Sequence, residues 1–392
     1  MNNNLNLDLS KVPKELKLIL EVINTENQGS ISFERYVDID WNVFLQLALH
    51  HRLYPLLYLK IIKMDPSWMP SKTLESLSRY YKKNTFQMLQ LCGEMEQLNK
   101  LFMEHEIRPL FLKGPVLAAD LYGDISMRTC GDLDILIPIG DLEKANALLG
   151  ELGYEQDEYI QTLLSDWKWR HHHFTYYHPS KGTKVEIHWR LHPAPSKEPN
   201  FNELWERKRE SSITGYPTYF LGKEDLFYFL VTHGARHGWS RLRWLIDIHQ
   251  IVKNGLNWGA VNKLLKRFHT GHIGGQSLIL SSQLLNSTLN PQILPLIKSD
   301  RSYNLAKETI FYFEKMVNLH TDPVPEDISK YHTNYLFSLM SFQQKFIFLL
   351  SLLHPYYTDA ETLPLPKKFH FLYYPLRPVL WVWRKTRKQA LS

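Results

Sequence analysis

Apolar residues recur at helical spacing through the first hundred positions of the chain. One apolar stripe begins directly after Asp40 and repeats at positions i, i+3, i+4 and i+7; it comprises Trp41, Phe44, Leu45 and Ala48. Residues at this spacing share one face of a helix, which can then pack against a core. The pattern predicts an N-terminal helical domain over residues 1–100.

The pattern becomes mixed over residues 101–220. A short apolar run ending at Gly114 predicts a strand, and the following PVLAADLY predicts a helix with proline in its first turn. The run DLDILIPI predicts a second strand, and Asp141 is placed to cap the next helix. The alternating sequence HHFTYYHPSKGTKVEIHWRLH predicts a hairpin that turns at SKG. This order of elements predicts an α/β unit built on a small mixed sheet.

Helical spacing returns over residues 221–355, which predicts a C-terminal helical domain. The last segment, residues 356–392, mixes aromatic, basic and proline residues, and Pro375 and Pro378 should prevent a long helix there. The expected fold class is therefore α+β. A small mixed-sheet core is flanked by N- and C-terminal helical domains and is followed by a basic aromatic tail.

Composition narrows the class of protein. The chain has 392 residues, of which 44% are hydrophobic and 22% are charged, and these are ordinary values for a globular protein. Its first residues are polar, and no apolar run reaches the roughly 18–20 residues that span a bilayer, so we expect a cytoplasmic protein. The two cysteines, Cys92 and Cys130, lack partners at metal-binding or redox spacing, which argues against a zinc ribbon or a disulfide framework.

The formal net charge of +6 is concentrated in the tail. Seven basic residues and no acidic residue follow position 366: Lys367, Lys368, Arg377, Arg384, Lys385, Arg387 and Lys388. Basic and acidic residues are nearly balanced in the rest of the chain, so a broad nucleic-acid-binding face is not indicated. The tail suits contact with a membrane surface or a partner groove. The alternative is a segment that packs on the body and leaves its basic ends in solvent.

Two carboxylates stand at the start of the second predicted strand. Asp132 and Asp134 alternate with apolar residues, so they project from the same face of the strand. Glu186 and His188 share a face in the return strand of the predicted hairpin. If these two strands pair, three carboxylates meet at one place. A divalent cation such as Mg²⁺ would remove their mutual repulsion.

The chain contains a second Asp-x-Asp pair, Asp38 and Asp40, which serves as an internal comparison. This pair directly precedes a predicted helix, where aspartate is a natural N-terminal cap. A strand has no use for such a cap. We therefore interpret Asp38 and Asp40 as capping residues and the later pair as candidate metal ligands.

Several stretches resemble a known protein family. FLKGPVLAADLY, MRTCGDLDILI and VEIHWRL are similar to bacterial uncharacterised nucleotidyltransferases of the superfamily with a polymerase-beta-like core, and DWNVFLQLALHHRLYPLL and RLRWLIDI extend the resemblance. The resemblance implies a nucleotidyltransferase core over residues 101–220, in which a glycine turn at Gly114 holds nucleotide phosphates. It also implies that Asp132 and Asp134 bind Mg²⁺. Glu186 would be the third catalytic and metal-binding acid and would help to activate an acceptor hydroxyl.

Two cations near these acids are candidates for binding the triphosphate. Lys113 precedes the glycine turn and Arg128 precedes the aspartates, and phosphoryl transfer depends on positioning and on neutralising charge. The alternatives are an exposed lysine and an arginine in a surface loop. The turn departs from the family pattern because Pro115 follows the glycine and supplies neither a hydroxyl nor an N–H.

Histidines offer a second candidate site. His233 and His237 stand four residues apart, which places both on one face of a helix, and Asp247 could complete a metal set. Asp247 could instead pair with Arg243 on its own helix. The other interpretation is that these residues form the wall of a substrate pocket together with His188. Residues 171–173 are three histidines in a strand, one of which could lie near Glu186 across the hairpin.

These features predict a transferase. We expect an enzyme that depends on Mg²⁺, with Mn²⁺ as the alternative ion, and moves a nucleoside monophosphate from an NTP such as ATP to an acceptor hydroxyl. A small molecule or a peptide or glycan intermediate is favoured over RNA as the acceptor, because the body is nearly neutral. One alternative is a catalytically weak or inactive binding protein with this fold. The other is a metal-dependent hydrolase built on His233, His237 and Asp247.

Overall fold

A computed structural model describes residues 6–25, 36, 38–64, 66–157 and 160–390, except for the side chains of residues 387–390. These residues form α1 (Lys14–Asn24), α2 (Trp41–His50), α3 (Tyr54–Lys63), α4 (Ser71–Glu104), α5 (Pro115–Tyr122), α6 (Leu142–Glu151), α7 (Trp167–Arg170), α8 (Phe201–Glu206), α9 (Lys223–Arg236), α10 (Leu242–Lys253), α11 (Trp258–Arg267), α12 (Gly271–Leu285), α13 (Leu294–Ile297), α14 (Asp300–Glu314), α15 (Glu326–Leu339), α16 (Phe342–Ser351), α17 (Tyr357–Thr362) and α18 (Tyr373–Ala390). The strands are β1 (Leu110–Phe111), β2 (Leu133–Leu136), β3 (Glu155–Gln156), β4 (His173–His178), β5 (Thr183–His188), β6 (Arg209–Ser211) and β7 (Thr218–Phe220).

The seven strands form one mixed sheet in the order β3-β4-β5-β2-β1-β7-β6. Strand β2 runs antiparallel to β1 and parallel to β5, and β4 and β5 form the predicted hairpin. The register of β2 with β5 places Asp134 opposite Glu186 and Leu136 opposite His188. The prediction of an α+β fold with a small mixed sheet and helical flanks is confirmed.

The strand alternation gives the sheet one apolar face and one polar face near the site. Leu133 and Ile135 of β2 and Val185 and Ile187 of β5 belong to a buried cluster with residues of α4 and α6. Because successive side chains point to opposite faces, the acidic residues of β2 and β5 face away from this cluster. They are directed toward α9 and α10, with which they enclose a cavity.

The helices before and after the sheet pack on each other. Leu18 and Ile19 of α1 lie in the same buried cluster as Leu245 of α10 and Leu278 of α12. The helical segments predicted as separate N-terminal and C-terminal domains therefore share a core. Helix α4 also extends four residues beyond the predicted boundary at residue 100, to Glu104.

The helix starts follow local rules with one exception. Asp40 begins α2 and accepts hydrogen bonds from the backbone N–H groups of Asn42 (2.9 Å) and Val43 (3.2 Å), as the capping interpretation predicts. Asp141 stands before α6, but its side chain makes no capping hydrogen bond, so that prediction is wrong. A 3₁₀ turn that ends at Asp141 runs directly into α6, and Asp141 is itself in a helical conformation.

Gly114 begins α5 with φ 89° and ψ −149°, a conformation that L side chains rarely adopt. Pro115 occupies the first helical position as predicted, where a missing N–H costs nothing. The sequence at this turn is therefore explained by backbone geometry alone.

The C-terminal tail packs on the body, because Tyr373 and Leu380 form a buried cluster with Leu163. Ion pairs within the tail hold α17 against α18. Arg377 and Arg384 both contact Asp359, with Nη1–Oδ1 and Nη2–Oδ1 distances of 2.9 and 2.7 Å. The prolines do not prevent a long helix, because α18 continues through Pro378. In the part of the chain that the structure describes, no helix combines the length and the apolar character needed to cross a bilayer.

Candidate active site

The acidic residues of β2 and β5 meet where the two parallel strands pair. Asp134, Glu186 and His188 each offer a ligand atom, and these atoms all lie within 4.8 Å of one another. His188 Nε2 is 3.3 Å from Asp134 Oδ1 and 3.4 Å from Glu186 Oε2. The predicted convergence of the two strands is therefore present, and the imidazole of His188 is part of it.

Lys113 lies beside Asp134 because β1 pairs with β2. The N–H of Leu112 donates to the carbonyl of Asp134 (2.9 Å), which extends this antiparallel pairing. The ammonium of Lys113 then lies 3.0 Å from Asp134 Oδ1, and the side chains of the two residues are only 13% and 1% exposed. Lys113 is thus a partly buried cation that contacts a candidate metal ligand directly.

Asp132 lies at the edge of this group rather than at its centre. Lys184 Nζ is 2.7 Å from Glu186 Oε1 and 3.5 Å from Asp132 Oδ2, so it bridges the two acids. Asp132 is absent from the three-residue set within 4.8 Å, although it lines the same cavity. Two lysines therefore contact three carboxylates, which leaves one negative charge without a lysine to balance it.

The close approach of these acids and lysines shifts the pKa values of their side chains. Burial and the negative charge of Asp134 raise the pKa of Asp132. Burial acts in the same direction on Asp134, but Lys113 and His188 outweigh it and lower its pKa. Burial alone would lower the pKa of Lys113, yet the nearby acids, with Asp134 first, raise it. The ion pair of Lys113 with Asp134 is therefore the charged form at neutral pH.

Histidines of the hairpin surround the acids. His173 Nε2 lies 3.7 Å from Glu186 Oε2, so the predicted contact of one hairpin histidine with Glu186 is present. His172, His173 and His188 form a second set whose ligand atoms lie within 4.8 Å of one another. Burial, followed by the charge of His188, lowers the pKa of His173 to about 3. It is thus neutral at physiological pH.

The acids line a cavity of about 580 Å³ between the sheet and the helices α9, α10 and α15. This volume lies in the range of cavities that hold small-molecule ligands. Six cationic side chains and three carboxylates line it: Arg52, Lys113, Lys184, Arg236, Arg241, Arg243, Asp132, Asp134 and Glu186. His233 and His237 also line it, in agreement with the interpretation of these residues as a pocket wall.

Arg128 lies outside this cavity. Its Nε and Nη2 donate to the carboxylate of Asp247 at 2.9 Å each, and both side chains are at most 1% exposed. This placement does not support the expected contact of Arg128 with a triphosphate. Gly114 is likewise absent from the cavity lining, whereas Lys113 is part of it.

The alternative metal site at the histidines is not assembled. Asp247 accepts hydrogen bonds from Arg128 and from the hydroxyl of Tyr122 (2.7 Å). It does not form a group of metal ligands with His233 and His237. The three residues are not among the metal-competent groups found in the described residues. The expected pair of Arg243 with Asp247 is also wrong, because Arg243 Nη1 donates to the carbonyl (2.6 Å) and hydroxyl (2.8 Å) of Thr129.

Sequence reasoning missed several cavity residues. Lys184 stands two positions before Glu186, so strand alternation could have placed it on the acidic face. Arg52, Arg236 and Arg241 come from the turn after α2 and from the ends of α9 and α10. No local pattern links these segments, since only the tertiary fold brings them together.

Comparison with protein families yields one match. The model of a family described as "Uncharacterised nucleotidyltransferase" matches residues 37–286, which include α2, the sheet and the helices up to the end of α12. No curated protein and no solved structure matches the chain. The matched range contains the acids, the two lysines and the four arginines of the cavity.

Proposed function

Because the chain belongs to the uncharacterised nucleotidyltransferase family, we propose that it moves a nucleoside monophosphate from an NTP to an acceptor hydroxyl with the help of a divalent cation. The observation that supports this most is the convergence of Asp134, Glu186 and His188 within 4.8 Å in the wall of a ligand-sized cavity. Carboxylate oxygens suit Mg²⁺ and Mn²⁺.

The residues fit a divalent cation. Asp134 and Glu186 would hold the ion, with Asp132 and His188 beside them, and Lys113 and Lys184 currently supply the positive charge that these acids require. The bound ion would neutralise phosphate charge and orient the α-phosphate. These carboxylates and lysines support the proposal of a phosphoryl-transfer site.

The reaction follows from the remaining groups. The acceptor oxygen forms a bond to the α-phosphorus, the bond to the β-phosphate oxygen breaks, and pyrophosphate leaves. Glu186, only 14% exposed and held by Lys184 and His188, is positioned to take the proton of the acceptor hydroxyl. Lys113 stands beside Asp134, where it can reach the phosphates once that carboxylate holds the cation.

The cavity favours a small acceptor. At about 580 Å³ it can hold a nucleotide and part of a second small molecule. A small molecule, or the end of a peptide or glycan intermediate, fits this volume better than folded RNA does.

The test is transfer of label from α-³²P-labelled NTPs to a panel of hydroxyl acceptors in the presence of Mg²⁺ or Mn²⁺. The Asp134→Asn and Glu186→Gln variants should lose transfer, and Asp134→Asn should also abolish the rise in melting temperature caused by cation and NTP. Asp38→Asn makes the same chemical change in the other Asp-x-Asp pair and should leave both readouts unchanged. A ligand-dependent rise in melting temperature without transfer for any acceptor would instead favour a non-catalytic binding protein.

A further inference from the structure

Among the described residues, none of the four arginines of the cavity wall has a carboxylate partner, and Arg236 contacts the ring of His172 (3.3 Å). Arg243 donates to Thr129, and its buried Nε has no partner. Arg241 donates through Nη1 to the carbonyl and ring of His50 (2.6 Å each) and through Nη2 to Asn318 Oδ1 (2.7 Å). For Arg52, the described part of the chain provides neither an ion pair nor a side-chain hydrogen bond.

Two other buried arginines of this chain do have carboxylate partners. Arg128 donates through Nε and Nη2 to the two carboxylate oxygens of Asp247, and Nη1 of Arg377 donates to both oxygens of Asp359. A buried charge normally has a partner of opposite sign, because desolvation is costly. Arg241 and Arg243 therefore leave uncompensated positive charge facing the cavity, and the more exposed guanidinium of Arg52 adds to it. Burial, followed by neighbouring arginines, lowers the pKa of Arg241 and Arg243 to about 10 each.

The backbone of Arg52 points to the same conclusion. Arg52 has φ 57° directly after α2, and the N–H of the next residue, Leu53, donates to the carbonyl of Ala48 (2.9 Å). This is the left-handed C-terminal position of a Schellman motif, which glycine usually occupies. Arginine is strained there by about 1 kcal/mol, so helix termination does not explain its side chain. The guanidinium approaches Gly131, next to Asp132, with Nη1 4.0 Å from the point where a Cβ of Gly131 would lie.

We propose that Arg52, Arg241 and Arg243 form a binding site for the phosphate chain of the NTP. Lys113 and Lys184 already contact the acids, so the arginines supply the positive charge that a polyphosphate needs. A single carboxylate would not balance three guanidinium groups, whereas a triphosphate offers several negative charges and matching acceptor oxygens. The identification of the anion as an NTP rests on the proposed function. The site replaces Arg128 and Gly114 as the contacts of the phosphates.

Inorganic triphosphate is the probe that tests this site, titrated calorimetrically into the full chain without divalent cation. The Arg52→Gly, Arg241→Gln and Arg243→Gln variants should each bind it about tenfold more weakly, or worse. Arg108→Gln is the matched control, because Arg108 has no carboxylate partner within the described ranges, donates to Asn202 Oδ1 (3.1 Å) and is not part of the cavity lining. Its affinity should equal that of the wild type.

Arg52→Gly decides the outcome even if the other variants fold poorly. Glycine suits the backbone at this position, so the melting temperature should stay unchanged or rise while triphosphate affinity falls. Equal triphosphate affinity of Arg52→Gly and the wild type overturns the proposal. A rise in KM for the acceptor with an unchanged KM for NTP would also overturn it, since the arginines would then bind an anionic acceptor.

The proposed function can fail separately. Asp134→Asn should not weaken binding of triphosphate without cation, because it removes a negative charge from the cavity. Loss of affinity in the arginine variants, without transfer by the wild type, would retain the anion site and reject the transferase. If the wild type transfers the nucleotide and the arginine variants keep its NTP affinity, the transferase is retained and the arginine site is rejected.

A different observation concerns the surface formed by α16 and α18. Helix α16 has no buried residue, and its apolar side chains include Phe342 (86% exposed) and Phe346 (58% exposed). Exposed apolar residues continue on the adjoining tail: Phe369, Phe371, Tyr374, Val379, Trp381 and Val382. Lysines accompany these aromatic rings, since Lys385 Nζ lies 4.6 Å from the ring centre of Trp381 and Lys368 Nζ 5.0 Å from that of Phe369.

We infer that this surface docks on an anionic lipid bilayer. Exposed aromatic and aliphatic side chains with lysines beside them are typical of helices that lie in the membrane interface. Two copies of the chain facing each other through this surface would bring their lysines together, which disfavours a symmetric dimer. The proposal thus names the residues through which the tail and α16 would contact a membrane.

Co-sedimentation of the full chain with lipid vesicles tests this second proposal. Binding should occur with phosphatidylcholine vesicles that contain phosphatidylglycerol, weaken with phosphatidylcholine alone, and fall in the Phe346→Ser and Trp381→Ser variants. Phe86→Ser is the control, because Phe86 is 73% exposed but belongs to α4 and not to α16 or the tail. Absence of vesicle binding overturns the proposal, as does a dimer in light scattering that Phe346→Ser dissociates.

Discussion

Arg128 and Asp247 lie 119 positions apart and form a buried bidentate ion pair. The hydroxyl of Tyr122 donates to the same carboxylate at 2.7 Å. The pair fastens the segment that leads into β2, the strand of Asp134, to α10, which carries Arg243 of the cavity wall. It therefore sets the relative position of the acidic wall and the arginine wall.

We expect Arg128→Ala to destabilise the protein strongly. Removing one partner leaves the buried carboxylate of Asp247 unpaired, and such changes typically cost about 3–5 kcal/mol. Urea unfolding followed by circular dichroism measures this change. Arg267→Ala removes an exposed pair with Glu203 and should cost less than about 1 kcal/mol. An equally small effect of Arg128→Ala would contradict the role given to the buried pair.

Gly114→Ala should lower the free energy of unfolding by about 1–3 kcal/mol, because the backbone at φ 89° and ψ −149° is open essentially to glycine alone. Gly140→Ala is the control. Its backbone does not have positive φ, and nothing lies within 4 Å of the added Cβ. Comparing the melting temperatures of the two variants therefore separates the backbone strain at Gly114 from the general effect of replacing a glycine. Equal melting temperatures would show that the α5 turn tolerates a side chain.

Lys184→Gln should enlarge the rise in melting temperature caused by Mg²⁺ or Mn²⁺. The variant removes the cation that bridges Asp132 and Glu186, so a metal ion meets more uncompensated negative charge. Its melting temperature without metal should fall for the same reason. Lys181→Gln removes the ion pair of another hairpin lysine, with Glu94 of α4, and should lower the melting temperature without changing the metal effect. A smaller metal effect in Lys184→Gln would mean that the lysine supports metal binding instead of opposing it.

Acid should destabilise the fold through buried histidines. Burial lowers the pKa of His272 to about 4, against 6.5 for an ordinary histidine, although its Nε2 contacts the carbonyl of Leu339 (2.7 Å). The folded state thus prefers the neutral ring. Its contribution is complete above about pH 6.5 and is lost as the pH falls toward about 4.

Between about pH 7.5 and about pH 5, the loss from His272 is on the order of 2 kcal/mol. His272→Gln keeps an amide donor for the Leu339 carbonyl but cannot titrate. Urea unfolding at the two pH values should show a smaller difference for this variant than for the wild type. The same pH dependence in both would assign the acid sensitivity to other groups.

The sequence predicted those parts of the site that depend on strand geometry. Alternation placed Asp134 on one face of β2 and Glu186 on one face of β5, and parallel pairing joined them. Helix spacing failed for Arg243 and Asp247, because Arg128 reached the carboxylate from another part of the chain. The arginine wall could not be predicted, since tertiary packing alone assembles it.

Because α1, α10 and α12 share a core, the N-terminal helices cannot finish packing until late in synthesis. A ribosome completes the whole sheet before it reaches α9, so the sheet can form while α1 packs only on α2 and α3 and its surface toward α10 and α12 is uncovered. The N-terminal helices must wait until residues beyond 270 emerge, and during that interval they present aggregation-prone surface. Slow translation between the end of β7 and the end of α12 should therefore lower the yield of folded protein more than a pause after α14.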